Sequence, residues 1–310
     1  MVSFYPRVYP KMDSKPVLSL GEVGVLGASS FVGIQLFEFA AGYGARLIPF
    51  SRTPASRGGA YVWRGISASE FSRSEAIHQW ISLCPVTALA DLLPMLELAG
   101  VRKLVAVSST SLITKKKSNN PRERRLADSL EEAELRVCEW AARVGVEAVL
   151  LRTTLTYDGI HDANIAAMAR FVRCWRILPI LKPATGLRQP LHARDLAMAC
   201  LQALARPLPL GCYNLSGGET LAYHEMAGRV FDALNMPRRF FPIPACMLNA
   251  IDTVSRCLPA GWRFPTSVFR RMNADLVFDH GPAAQDLNFR PRGFDPSCFL
   301  EPATSRFKNG

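Results

Sequence analysis

A run of small residues, Gly27, Ala28, Ser29 and Ser30, stands between an apolar stretch and a segment of helical periodicity. Residues 23–26 (Val-Gly-Val-Leu) precede it. After it, apolar residues recur from Phe31 through Ile34, Leu36 and Phe37 to Ala40. This spacing predicts strand, tight turn and helix in that order. Such a turn leaves the first amides of the helix without partners, and those amides attract the pyrophosphate of a dinucleotide. Gly27 and Gly33 bracket a G-x-x-S-x-x-G pattern in which Ser30 holds the place usual for a middle glycine. A hydroxyl there can donate to a phosphate, while its Cβ narrows the approach that a glycine would allow. Residues 45–50 read as a second strand, followed by Ser51 and Arg52. At that strand end an acid would hold the 2′-hydroxyl of an adenosine ribose, whereas an arginine accommodates a 2′-phosphate. The expected cofactor is therefore NADP rather than NAD, with Arg57 and Arg64 as further partners for the phosphate.

Two more polar runs follow. Residues 108–111 (Ser-Ser-Thr-Ser) close the apolar strand at 102–107. Residues 115–125 form a basic loop, either a solvated surface or a lid over an anionic substrate. The elements that must position these groups alternate. Residues 77–84 read as a strand, 86–99 as a helix ended by Gly100, 126–144 as a helix ended by Gly145, and 147–151 as a strand ending at Arg152. Residues 58–74 show no clean period. Alternation of this kind predicts an α/β fold, a doubly wound parallel Rossmann sheet with a smaller C-terminal substrate-binding lobe. Further on, 164–176 and a segment opened by 192–195 read as helices, 179–190 as loop and short strand, and 213–215 as a strand stub. Thr220 is a candidate helix cap, and 237–244 is a proline-rich connection. The expected organisation is a mobile tail over 1–18, the dinucleotide domain over 19–205 with a lobe insertion near 160–190, the substrate lobe over 206–300, and a tail over 301–310.

Composition bounds the reading. Of 310 residues, 49% are hydrophobic, enough for a sizeable core. The net charge of +11 comes mostly from arginine, with only eight lysines, and favours anionic partners such as nucleotides and phosphates. No module or aromatic interleaving typical of nucleic-acid binding is present. The apolar segment 245–258 suits a core or dimer helix better than a membrane surface. The eight cysteines are scattered without a C-x-x-C pair, which argues for free thiols in a reducing cytoplasm and against a zinc site.

Five stretches carry a resemblance: 27–33 (G-A-S-S-F-V-G), 107–111 (V-S-S-T-S), 151–157 (L-R-T-T-L-T-Y), 187–197 (L-R-Q-P-L-H-A-R-D-L-A) and 213–219 (Y-N-L-S-G-G-E). In this order, over roughly residues 21–298, the chain resembles an extended short-chain dehydrogenase/reductase of the NAD(P)-dependent epimerase/dehydratase family, which acts mostly on nucleotide sugars. The resemblance implies cofactor contacts from Gly27, Ser29, Ser30, Phe31, Gly33, Ser51, Arg52, Cys84 and Ser108. It implies a hydroxyl after the central strand that polarises the substrate, here Ser109, with Thr110 and Ser111 one register away. It implies substrate contacts from Ser111, Asn164, Arg188 and Arg270 or Arg271, the arginines gripping a diphosphate, and a homodimer through paired helices. The segment holding His192 and Asp195 is expected to be tied to the sheet.

The family's Tyr-x-x-x-Lys pair is missing. None of the seven tyrosines is followed four residues later by lysine, and the matching positions hold Leu126 and Leu130. Leucine has no proton to transfer and no charge to offer. Tyr157, His161 or His192 could supply the proton, or the basic residues near Arg124 and Arg125 could stabilise an oxyanion. Two functions then compete: an atypical epimerase, dehydratase or reductase acting on a nucleotide-linked sugar, and a catalytically inactive NAD(P)H-binding sensor or assembly factor.

Overall fold

The computed structural model describes residues 19–53, 61–73, 77–208, 210–248 and 266–297. The first half alternates as the sequence predicts: β1 (Gly21–Leu26), α1 (Phe31–Phe39), β2 (Ala45–Ser51), β3 (Arg64–Gly65), α2 (Ala68–Ser72), β4 (Gln79–Ser82), α3 (Val86–Leu98), β5 (Lys103–Ser109), α4 (Ser111–Thr114), α5 (Pro121–Val144) and β6 (Glu147–Thr153). The second half holds shorter pieces: β7 (Thr156–Tyr157), α6 (Ile165–Trp175), β8 (Leu178–Leu181), β9 (Leu187–Arg188), β10 (Leu191–His192), α7 (Ala193–Leu204), β11 (Gly211–Leu215), β12 (Leu221–Ala222), α8 (Tyr223–Ala233), β13 (Phe240–Ile243), α9 (Thr266–Arg271) and α10 (Gly281–Asp286).

Seven strands make one parallel sheet in the order β11-β6-β5-β4-β1-β2-β3. The order reverses between β1 and β4, and a crevice opens at the carboxyl ends of strands at such a switch point. Strand alternation divides the core. Val23, Val25, Val105 and Val149 face α1 and α7. Leu26, Leu104, Ala106 and Leu150 face α3 and α5. Burial on both faces is why these strands read as apolar runs. A separate cluster of Ile165, Val172, Leu178, Tyr223, Met226, Phe231 and Phe269 forms the core of the smaller lobe.

The structure corrects several boundaries. The second half of the basic run is helical: α5 begins at Pro121, with Asn120 as its cap, Oδ1 accepting from the Arg122 amide at 2.9 Å. A capping asparagine followed by proline starts a helix without any apolar period. Residues 211–215 join the main sheet beside β6, although they fall in the stretch expected to be lobe. Thr220 does not cap a helix, because β12 intervenes and α8 starts at Tyr223. The proline-rich connection contains β13, which pairs with β8. Both expected tails, Arg57 and most of the apolar segment 245–258 lie outside the described residues.

Candidate functional site

The turn between β1 and α1 lies close against β4. Gly27 has φ +72°, and a Cβ on it would come 2.6 Å from the Cys84 amide nitrogen. A Cβ on Gly33 would come 2.1 Å from the Ala28 carbonyl oxygen, so α1 meets the turn with no room for a side chain. Ser30 is the N-cap of α1, its Oγ accepting from the Gly33 amide at 3.1 Å. That bond leaves the Ser30 hydroxyl proton unspent, and the first amides of α1 make a positive helix end that suits an anion. This cradle fits a pyrophosphate, with Ser29 exposed at its rim. Cys84 lines the floor, its Sγ 3.0 Å from Ser82 Oγ, and burial pushes its thiol pKa up. At the end of β2, Ser51 Oγ accepts from the Thr53 amide at 3.2 Å, and Arg52 is exposed. Arg64 sits opposite Phe50 on β3, and neither 50–53 nor 63–66 contains a carboxylate.

The hydroxyls after β5 divide by role. Ser108 Oγ donates to Glu134 Oε1 at 2.6 Å. Arg152 Nε donates to both oxygens of the same carboxylate at 3.0 Å, and its Nη2 adds a third bond. Thr110 Oγ1 donates to the Thr153 carbonyl at 3.0 Å. Ser109 Oγ accepts from the Ser111 amide at 3.1 Å, which keeps its own proton for another acceptor. Ser108 and Thr110 thus spend their protons within the fold, whereas Ser109 does not spend its own on the Ser111 amide.

Leu126, Leu130 and Glu134 follow one another at i, i+4 and so share one stripe of α5. Leu130 is 8% exposed and belongs to the apolar layer between α5 and the sheet, while Leu126 is 41% exposed. The stripe expected to offer a tyrosine and a lysine therefore offers two leucines and a carboxylate already held by Arg152. The substitutes are engaged elsewhere. Tyr157 is 0% exposed, and its hydroxyl accepts from the Asp295 amide at 3.2 Å. His161 Nδ1 lies 2.7 Å from Asp158 Oδ2 on an exposed turn. His192 caps α7, its Nδ1 accepting from the Arg194 amide at 3.1 Å.

Burial, and then the charge of Arg292, pull the His192 pKa below its ordinary 6.5. The unfolded chain then binds a proton at this site more readily than the folded chain does. Stability from His192 is full above about pH 6.5 and is lost as pH falls toward the folded value. The melting temperature is expected to fall between pH 7.5 and 5.5, and His192→Asn, which keeps a cap, is expected to flatten that slope. An unchanged slope in thermal scans would show that His192 does not drive it.

On the lobe side, Asp162 holds the start of α6, its Oδ1 accepting from the amides of Asn164 at 2.9 Å and Ile165 at 2.6 Å, and the Asn164 side chain is exposed. Asp195 accepts from the Arg292 amide at 3.0 Å and from its Nε at 2.9 Å, which ties the C-terminal segment to α7. Arg188 is 4% exposed and donates to the carbonyls of Leu187 at 2.8 Å, Ala274 at 2.7 Å and Arg271. Burial brings its pKa down to about 10. Arg271 Nη1 pairs with Glu123 Oε1, and Ser118 Oγ donates to Glu123 Oε2 at 2.6 Å. Glu123 and Glu134 were not legible as site residues, because their partners come from elements distant in sequence. Among the described residues no group of three or more His, Cys, Asp or Glu could hold a metal ion, and no helix is long and apolar enough to cross a membrane.

Solved structures superpose on nearly the whole chain. UDP-glucose 4-epimerase from Brucella ovis, in complex with NAD, matches with a TM-score of 0.64 at 16% identity, over 93% of this chain and 98% of that one. RMD from Pseudomonas aeruginosa, complexed with NADPH, matches with a TM-score of 0.62 at 15% identity, over 93% and 99%. A short-chain dehydrogenase/reductase superfamily protein from Agrobacterium tumefaciens, with bound NAD, shares the same fold, with a TM-score of 0.64 at 15% identity, over 92% of this chain and 97% of that one. In doubly wound sheets of this kind the dinucleotide turn lies where the first strand runs into the first helix, as β1 runs into α1 here. In sequence, the chain is similar to NADH dehydrogenase [ubiquinone] 1 alpha subcomplex subunit 9, mitochondrial, of Arabidopsis thaliana, 26% identical over 156 residues. That similarity spans 47% of this chain and 39% of the length of the relative. No family model matches the sequence.

Proposed function

We propose that this chain binds a nicotinamide dinucleotide, NADP in preference to NAD, and holds it without the proton-transfer chemistry of the epimerases. It is a dinucleotide-binding sensor or assembly factor. One observation carries this reading: the stripe of α5 that would bear the Tyr-x-x-x-Lys pair carries Leu126 and Leu130, and Tyr157 is sealed in the lobe core. The turn at Gly27 and Gly33 holds the pyrophosphate on its amides, and Arg52 with Arg64 receives a 2′-phosphate. The dinucleotide, when bound, supplies a hydride donor or acceptor. At Leu126 and Leu130 the α5 stripe gives it no proton donor. The Arabidopsis relative is named as a subunit of a larger complex, which supports a role within an assembly. Six cysteines among the described residues are unbridged, which supports a reducing compartment such as the cytoplasm.

Purified protein with bound NADP(H), incubated with UDP- and dTDP-sugars, is expected to give no change in product mass and no cofactor absorbance change. Turnover of any sugar would favour the second reading, an atypical epimerase, dehydratase or reductase acting on a nucleotide-linked sugar. Ser109, whose hydroxyl remains available at the end of β5, supports that alternative. For cofactor choice, Arg52→Ser is expected to weaken NADPH about tenfold, about 1.4 kcal/mol, with NADH little changed. Equal losses for both would remove the argument for NADP.

A further inference from the structure

We propose that Glu123 acts as an internal stand-in for a diphosphate, closing an anion site at the junction of the sheet and the lobe. This rests on the reading above, in which the lobe receives no nucleotide sugar for turnover. Lys115 caps the end of α4, just beyond the carboxyl end of β5, on the side of the sheet where ligands bind. Arg271 ends α9 in the lobe, and Arg188 fixes it by donating to its carbonyl. Glu123 faces Lys115 and Arg271 from the first turn of α5.

The position of Glu123 in its helix supports the assignment. At the third residue after an N-cap, a glutamate ordinarily reaches back to the amide of that cap. Here the Asn120 amide donates to Ser118 Oγ at 3.1 Å instead. The Glu123 carboxylate turns away from its own helix end to Arg271 Nη1, across 148 positions of sequence, and takes the Ser118 hydroxyl at 2.6 Å. Burial and then Arg271 lower the Lys115 pKa, which places Lys115 within electrostatic reach of the pair. Lys115, Arg188 and Arg271 stand against two carboxylates, Glu123 and the Asp275 beside Arg188, which leaves one positive charge in excess, and the Arg271 fork suits a diphosphate. Glu123 is therefore the residue that decides whether a diphosphate-bearing ligand enters.

Inorganic pyrophosphate is the probe, titrated calorimetrically into the full chain. Glu123→Gln is expected to bind it at least tenfold more tightly than the wild type, and Arg271→Met in that background is expected to return the affinity to the wild-type level. Ser118→Ala, which keeps every charge, is expected to tighten binding about twofold, and it decides the matter if Glu123→Gln does not fold. The proposal is overturned if a folded Glu123→Gln protein binds pyrophosphate no tighter than wild type, or if the gain survives Arg271→Met. NADPH titrated into the same preparations separates the two claims. Failure of NADPH to bind strikes the dinucleotide reading and leaves the pyrophosphate comparison intact.

Discussion

Gly33→Ala is expected to weaken NADPH binding at least about 100-fold, equivalent to about 2.7 kcal/mol. The added methyl would lie 2.1 Å from the Ala28 carbonyl oxygen, a backbone atom that cannot swing aside. The first turn of α1 must then pull away from the β1 strand end, taking with it the Phe31 and Val32 amides. Gly42→Ala is the matched control, since a Cβ there meets nothing within 4 Å. It should bind NADPH as the wild type does. Calorimetry on both variants checks this, and a Gly33→Ala protein with wild-type affinity would mean that the phosphates lie elsewhere.

Arg152→Met is expected to destabilise the fold by about 3–5 kcal/mol, because it strands the Glu134 carboxylate without its cation. Glu134 is 4% exposed, and Ser108 alone cannot replace the bonds from the guanidinium. For a chain of this size the melting temperature should drop on the order of 10 °C. Adding Glu134→Gln to Arg152→Met should restore part of the loss by removing the stranded charge. A loss under about 1 kcal/mol in urea unfolding would show that Glu134 carries no buried charge. The same network joins α5 to the ends of β5 and β6. It therefore holds the strand end from which Ser109 projects, and its loss should also lower NADPH affinity.

The parallel sheet was legible because its strands are buried on both faces, so Val23 to Leu26 and Leu104 to Ala106 stand out as apolar runs. The glycine turn was legible because close approach demands small residues at fixed spacing. Two features were not. Which sheet a short strand joins depends on its distant partner, and nothing local to Tyr213 and Leu215 points to Leu151 and Thr153. The start of α5 lay inside a polar run without periodicity, and only Asn120 and Pro121 marked it. The substrate side divides in the same way. Arg188 and Arg271 were visible in the sequence only as arginines. That Arg188 donates to three carbonyls, and that Arg271 meets Glu123, follows from chain paths that local sequence does not encode.

A calorimetric titration of the wild-type chain with NADPH, repeated with NADH, tests the central claim most directly. One saturable site per chain is expected, with NADPH bound the more tightly and a matching rise in melting temperature. Absence of both heat and melting shift with either dinucleotide, reduced or oxidised, would contradict the account.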